Sequence, residues 1–222
     1  MLQSRILQML CVLCFAGCLQ NAQKHKLEVA YVANEGFMIS MGDTKVVIDA
    51  LTNAKNYAHP SDSLAAAIMD GVPPFDNVDH VLVTHNHADH FNAEMMSRFL
   101  RNHPTAQLIA STEVCKQMTG DSAADRRCSA VDLKMGESRT FRGDNAEILV
   151  MRLDHSGRDI SNLAFIVRSN GHTIMHVGDA LLWSNEEFLR TYDWRSYGID
   201  ILFVEYFDRS TPTQDIIQNL IK

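Results

Sequence analysis

Residues 85–90 read His-Asn-His-Ala-Asp-His, directly after the apolar run from Val78 to Thr84. This junction limits the fold more tightly than any other stretch of the chain. A short apolar run bounded by polar residues reads as a buried strand. If the chain is still extended there, the alternate residues His85 and His87 point to the same side. Asp89 and His90 then sit where the chain turns into a helix. That helix is expected from about Asn92 to Arg101, with Met95, Met96, Phe99 and Leu100 as its apolar stripe. Neutral imidazoles and a carboxylate are good ligands for zinc and similar ions. Two groups of ligands on one short loop can serve two adjacent ions. A polar loop that is histidine-rich by chance is the bland alternative, and four ligand-type residues within six positions at a strand end argue against it.

The remaining elements follow from periodicity and turn residues. Lys26 to Ala33, Gly36 to Met41 and Lys45 to Leu51 read as an antiparallel meander, with Gly42-Asp43 as a turn. A helix is expected from Ser61 to Met69, a strand from Gln107 to Ala110, and a helix from Ser111 to Met118. Strands are then expected at Ser129 to Leu133, Ser138 to Phe141, Ala146 to Leu153 and Asn162 to Arg168. Asn170-Gly171 is a strong hairpin signal leading into His172 to Val177. Glu186 to Arg190 reads as helix, Asp200 to Phe203 as strand, and Pro212 to Ile221 as a last helix capped by Thr211.

The N-terminus has a different character. Arg5 followed by the apolar run Ile6 to Ala16 is too short to span a bilayer but suits a signal peptide, residues 1–17. Phe15-Ala16-Gly17-Cys18 is similar to a bacterial lipobox, and a plain secretory signal is the alternative. Residues 18–26 would be a polar tether, 27–222 the folded domain, and a lipid on Cys18 the only membrane contact. The expected location is the cell envelope, as a membrane-anchored lipoprotein or a periplasmic protein. Export leaves Cys115 and Cys128 either paired or free and buried. A net charge of −7 argues against a nucleic-acid partner.

The segment from Thr84 to His90 resembles the H-x-H-x-D-H signature of the metallo-β-lactamase superfamily and matches it in full. Ile48-Asp49 at an early strand end, Asp154-His155-Ser156-Gly157 after a later strand, and His176-Val177-Gly178-Asp179 extend the resemblance. It implies an α+β fold, a four-layer αβ/βα sandwich of two mixed sheets with outer helices and a metal site at one edge. It further implies that His85, His87 and His155 hold a first ion, Asp89 and His90 a second, and that Asp179 bridges them. Two zinc ions are expected. The family's second ion takes one more histidine near the C-terminus, but no histidine follows His176, and Asp208 and Glu205 do not match that position. The second site is therefore expected to be incomplete and the last strand absent from the sequence.

The implied activity is metal-dependent hydrolysis of an ester, lactone, amide or phosphodiester by a metal-activated hydroxide, with Asp89 as the catalytic carboxylate. A mononuclear iron sulfur dioxygenase-like enzyme, using His85, His155 and Asp179, is the alternative. A metal-binding remnant without turnover is another. Asp49 is expected to hydrogen-bond the motif loop, or else to be a plain strand-end carboxylate. His176 is a candidate support for the strand carrying Asp179. Ser156, Arg158 and Asp159 are candidates for touching substrate. Glu35-Gly36-Phe37, Asn162-Leu163 and the segment from His176 to Ala180 are similar to uncharacterised hydrolases related to lactonases and phosphodiesterases.

Overall fold

Alternation along the strands sorts the apolar residues into three layers. The computed structural model describes residues 25–118, 126–155 and 158–205, together with 214, 215, 217 and 218. The first sheet contains β1 (Leu27–Ala33), β2 (Gly36–Met41), β3 (Thr44–Ile48), β4 (His80–Leu82), β5 (Gln107–Ser111) and β6 (Cys128–Val131), in that order. Its first three strands are antiparallel and its last four run parallel. The second sheet holds β7 (Ser138–Arg142), β8 (Glu147–His155), β9 (Arg158–Ser169), β10 (His172–His176) and β11 (Ile201–Phe203). Only the β10–β11 pair is parallel.

Ile39, Val46, Ile48 and Leu82 of one sheet meet Ile148, Val150, Phe165 and Val167 of the other in a central core. The intervening residues face outward. Met38, Val47 and Val81 pack under α1 (Asp62–Asp70) and α2 (Ala93–Asn102), whose Ile68, Met96, Phe99 and Leu100 are buried. On the far side Met151, Ile166 and Met175 are covered by Leu182, Leu189 of α4 (Glu186–Leu189) and Trp194. Each such fully buried side chain contributes about 1.5–3 kcal/mol. This is the expected four-layer sandwich of two mixed sheets.

Local signals set the helix starts. The side chains of Ser61, Asn92 and Ser111 accept from the backbone N–H of Leu64, Met95 and Val114, capping α1, α2 and α3 (Thr112–Gln117). Cys115 and Cys128 form a disulfide that joins α3 to β6, which resolves the two alternatives for these thiols. Three strands differ most from expectation, the first being β4, which spans only His80–Leu82 of the expected Val78 to Thr84. β3 stops at Ile48 because Asp49 adopts a left-handed φ of 46°. β9 starts at Arg158, where it pairs with His155, because backbone pairing continues through a polar stretch that reads as loop. The expected signal peptide and tether lie outside the described residues apart from His25 and Lys26, as does most of the expected last helix.

Candidate metal centre

The site forms where the C-terminal ends of β3 and β4 face the ends of β8 and β10. The two sheets join there directly, through the Leu163 N–H donating to the Thr84 carbonyl at 2.8 Å. Asp49, 2% exposed, turns back over the strand end and organises the motif. Its carboxylate accepts from Thr84 N at 2.9 Å, from Thr84 Oγ1 at 2.6 Å and from His90 Nδ1 at 2.9 Å.

These bonds fix two tautomers. A carboxylate can only accept, so His90 carries a proton on Nδ1 and its Nε2 is directed into the site. Thr84 gives its own proton to Asp49, so its oxygen accepts from His85 Nδ1 at 3.0 Å. His85 Nε2 is thereby left as a lone-pair donor facing the site. Burial, with the His90 imidazole alongside, lowers the His85 pKa to about 3, which keeps this imidazole neutral.

His85 Nε2 lies 3.0 Å from His87 Nδ1 and 3.8 Å from Asp179 Oδ2, and His155 Nε2 lies 3.6 Å from the same oxygen. One ligand atom from each of His85, His87, His155 and Asp179 falls within a mutual 4.8 Å. The structure thus brings together the whole first set that the sequence suggests. The other carboxylate oxygen, Asp179 Oδ1, is 3.1 Å from His90 Nε2, so Asp179 faces both positions. Burial works against ionisation of Asp179, but the neighbouring imidazoles of His90, His85 and His155 outweigh it and lower the pKa to about 2.

Gly178 explains how Asp179 reaches this place. Its φ is +58°, and a Cβ there would lie 2.5 Å from Asn162 Oδ1 and 2.8 Å from Thr84 Cβ. Asn162 in turn accepts from Asp179 N at 3.2 Å and donates to the Val177 carbonyl at 3.0 Å.

The second group departs from expectation. Asp89 Oδ2 is 3.5 Å from His90 Nε2 and accepts from Asn34 Nδ2 at 3.2 Å. The three residues whose ligand atoms lie within 4.8 Å of one another are Glu35, His90 and Asp179. Glu35 comes from the β1–β2 turn and was not expected to take part. Burial and the Asp179 charge push its pKa up to about 8. The only sequence signal for it is an Asn-Glu-Gly turn between two apolar strands. His176, fully buried, lies behind this turn. Its Nδ1 accepts from Gly178 N at 3.0 Å and its Nε2 donates to the Glu35 carbonyl at 2.9 Å. The side chains of Ser156, Arg158 and Asp159 lie outside the described residues.

The donor set fits a metal ion. His90 Nε2 is buried and makes no hydrogen bond of acceptable geometry, although it points at carboxylates. Such an orphaned nitrogen in a ring of carboxylate oxygens and imidazoles is what an ion would satisfy.

The family model described as "Beta-lactamase superfamily domain" matches residues 44–214. A UPF0173 metal-dependent hydrolase of Azorhizobium caulinodans is 26% identical over 160 residues, covering 71% of this chain and 61% of the relative. One of Pyrobaculum arsenaticum is 22% identical over 165 residues, covering 73% and 66%. The match spans less than two thirds of the length of either relative. Among solved structures, the metallo hydrolase Igni18 of the hyperthermophilic archaeon Ignicoccus hospitalis superposes with a TM-score of 0.58 at 15% identity. That alignment covers 88% of this chain and 78% of the other, a likeness of fold.

Proposed function

The chain belongs to the beta-lactamase superfamily, and on that premise we propose that it is a metal-dependent hydrolase of a small-molecule ester, lactone, amide or phosphodiester. The carrying observation is the convergence of His85, His87, His155 and Asp179 within 4.8 Å, with His90 on the other oxygen of Asp179. The names of the curated relatives support hydrolysis over iron-dependent sulfur oxidation. Zinc suits the first position, where three imidazoles and one carboxylate supply the donors.

Ions held there would lower the pKa of a water so that hydroxide exists at neutral pH, and would polarise the electrophile. The chain's own groups do the rest. Thr84 and Asp49 hold His85 and His90 in the tautomers that face the site. Asn34 orients the Asp89 carboxylate by donating to its Oδ2. Burial opposes ionisation of Asp89, but the neighbouring His90 imidazole keeps its pKa below the usual range. Asp89 is therefore available as an acceptor for the proton of the attacking water. Export through residues 1–17, a lipid on Cys18 and action in the cell envelope belong to the same proposal, supported by the character of those residues. Among the described residues, no helix is long and apolar enough to cross a membrane.

The test is a chelator-stripped protein assayed with and without added zinc on a nitrophenyl ester, a bis-nitrophenyl phosphodiester and a lactone. Turnover of one class that returns only with metal, and is absent from His87→Ala, supports the reading. Turnover indifferent to chelation would sink it.

A further inference from the structure

We propose that Glu35 completes a second, carboxylate-rich ion position in this chain, one that accepts Mn2+ beside a zinc ion held by the three histidines. The inference rests on the metal-dependent reading above and goes further, by assigning a ligand from the β1–β2 turn and the class of ion.

The β1–β2 turn is built to deliver Glu35. A Cβ on Gly36 would lie 2.7 Å from the Asp49 carbonyl and 2.8 Å from Ala50 Cα, so only glycine lets the turn press against the strand end that carries Asp49. Asn34, at φ 43°, donates to both the backbone carbonyl and the Oδ2 of Asp89, at 3.3 and 3.2 Å. His176 holds the Glu35 carbonyl at 2.9 Å. The turn is thus anchored to the β3 end, the motif loop and β10 at once. These anchors bring the Glu35 carboxylate within 4.8 Å of ligand atoms of His90 and Asp179. The nitrogen they surround, His90 Nε2, is buried and without a hydrogen bond.

The two positions differ in donor chemistry. The first has three nitrogens and one oxygen. The second has one nitrogen, with oxygens from Glu35 and Asp179 and the Asp89 carboxylate alongside, 3.5 Å from His90 Nε2. Imidazole-rich sites suit zinc, and carboxylate-rich sites suit harder ions such as Mn2+. Charge points the same way. Asp49, Asp89, Asp179 and Glu35 place four carboxylates around imidazoles, and buried charge of one sign must be compensated. Two divalent cations balance four carboxylates.

The experiment uses the full chain, stripped of metal, loaded with one equivalent of zinc and then titrated with Mn2+. Electron paramagnetic resonance follows free Mn2+, and elemental analysis follows retained zinc. The wild type is expected to bind one Mn2+ while keeping its zinc. Glu35→Gln should keep the zinc, which also reports an intact fold, and weaken Mn2+ at least about tenfold. Glu35→His should likewise weaken Mn2+ but take a second equivalent of zinc. Mn2+ binding by Glu35→Gln at wild-type strength would overturn the inference, as would zinc uptake by the wild type with no Mn2+ site. A wild type that takes up neither ion would overturn the metal-dependent reading along with it.

Discussion

Replacing Asp49 with Asn tests whether tautomer control makes the motif a metal site. The side chains have the same shape, so the three hydrogen-bonding positions remain in place. One oxygen, however, becomes an NH2 group. Asn Oδ1 is needed to accept from Thr84 N at 2.9 Å, which puts the amide nitrogen where Oδ2 stood, 2.6 Å from Thr84 Oγ1 and 2.9 Å from His90 Nδ1. A donor there requires His90 Nδ1 to accept, which moves the imidazole proton to Nε2 and blocks the atom that faces the ions. Flipping the amide instead sets its donors against the Thr84 N–H. Either arrangement forfeits one buried hydrogen bond to a charged group, about 1.5–3 kcal/mol of stability. Loss of a partner that orients a metal-binding histidine weakens metal binding about 10- to 100-fold, equivalent to about 1.4–2.7 kcal/mol. Calorimetric titration of stripped Asp49→Asn with one equivalent of zinc and then with Mn2+ should show the loss at the Mn2+ step, with a smaller effect on zinc through Thr84 and His85. Wild-type affinity for both ions, in a variant that folds, would refute the tautomer argument.

Gly178→Ala should destabilise the protein by about 1–3 kcal/mol through overpacking against Asn162 and Thr84. It should also weaken metal binding because Asp179 is displaced; urea denaturation and metal analysis read the two effects separately. The Cys115–Cys128 disulfide closes a loop of sequence separation 13, and removing it with Cys115→Ala/Cys128→Ala should cost about 3 kcal/mol. An unchanged urea midpoint would show that the bridge adds nothing. Metal-free protein should lose stability as pH falls below the ordinary histidine range. Burial depresses the pKa values of His80 and His103, so the unfolded chain binds more protons there and stability rises with pH. Urea midpoints measured at a series of pH values should follow that sign, and His103→Gln should flatten part of the slope.

Much of the fold is legible in the sequence because burial imposes a period. Val46, Ile48 and Leu82 face the central core while Val47 and Val81 face the helices. Strands buried on both faces read as continuous apolar runs, and α2 shows its stripe of Met95, Met96, Phe99 and Leu100. What escapes is whatever side-chain chemistry does not dictate. β9 extends back to Arg158 through residues whose composition reads as loop, since strand pairing there uses backbone groups that every residue carries. The premature end of β3 is equally hidden. Asp49 enters the left-handed region because its carboxylate is needed by Thr84 and His90, residues 35 and 41 positions away.

The candidate site divides along the same line. His85, His87, Asp89 and His90 are legible because one loop carries them, and His155 and Asp179 because each follows a strand in a recognisable pattern. Glu35 has no such signature, since a glutamate before a glycine in a hairpin turn usually faces water. Its role depends on the close approach of Gly36 to the backbone of Asp49 and Ala50, a contact set by strand pairing rather than by local sequence. The second position is therefore not short of donors among the described residues. The β1–β2 hairpin brings a carboxylate oxygen to it. Counting family ligands along a chain measures what one lineage uses, whereas an ion responds to every donor within reach. Here the donors within reach of His90 Nε2 are carboxylates, and that atom type bears on which ion the second position should prefer.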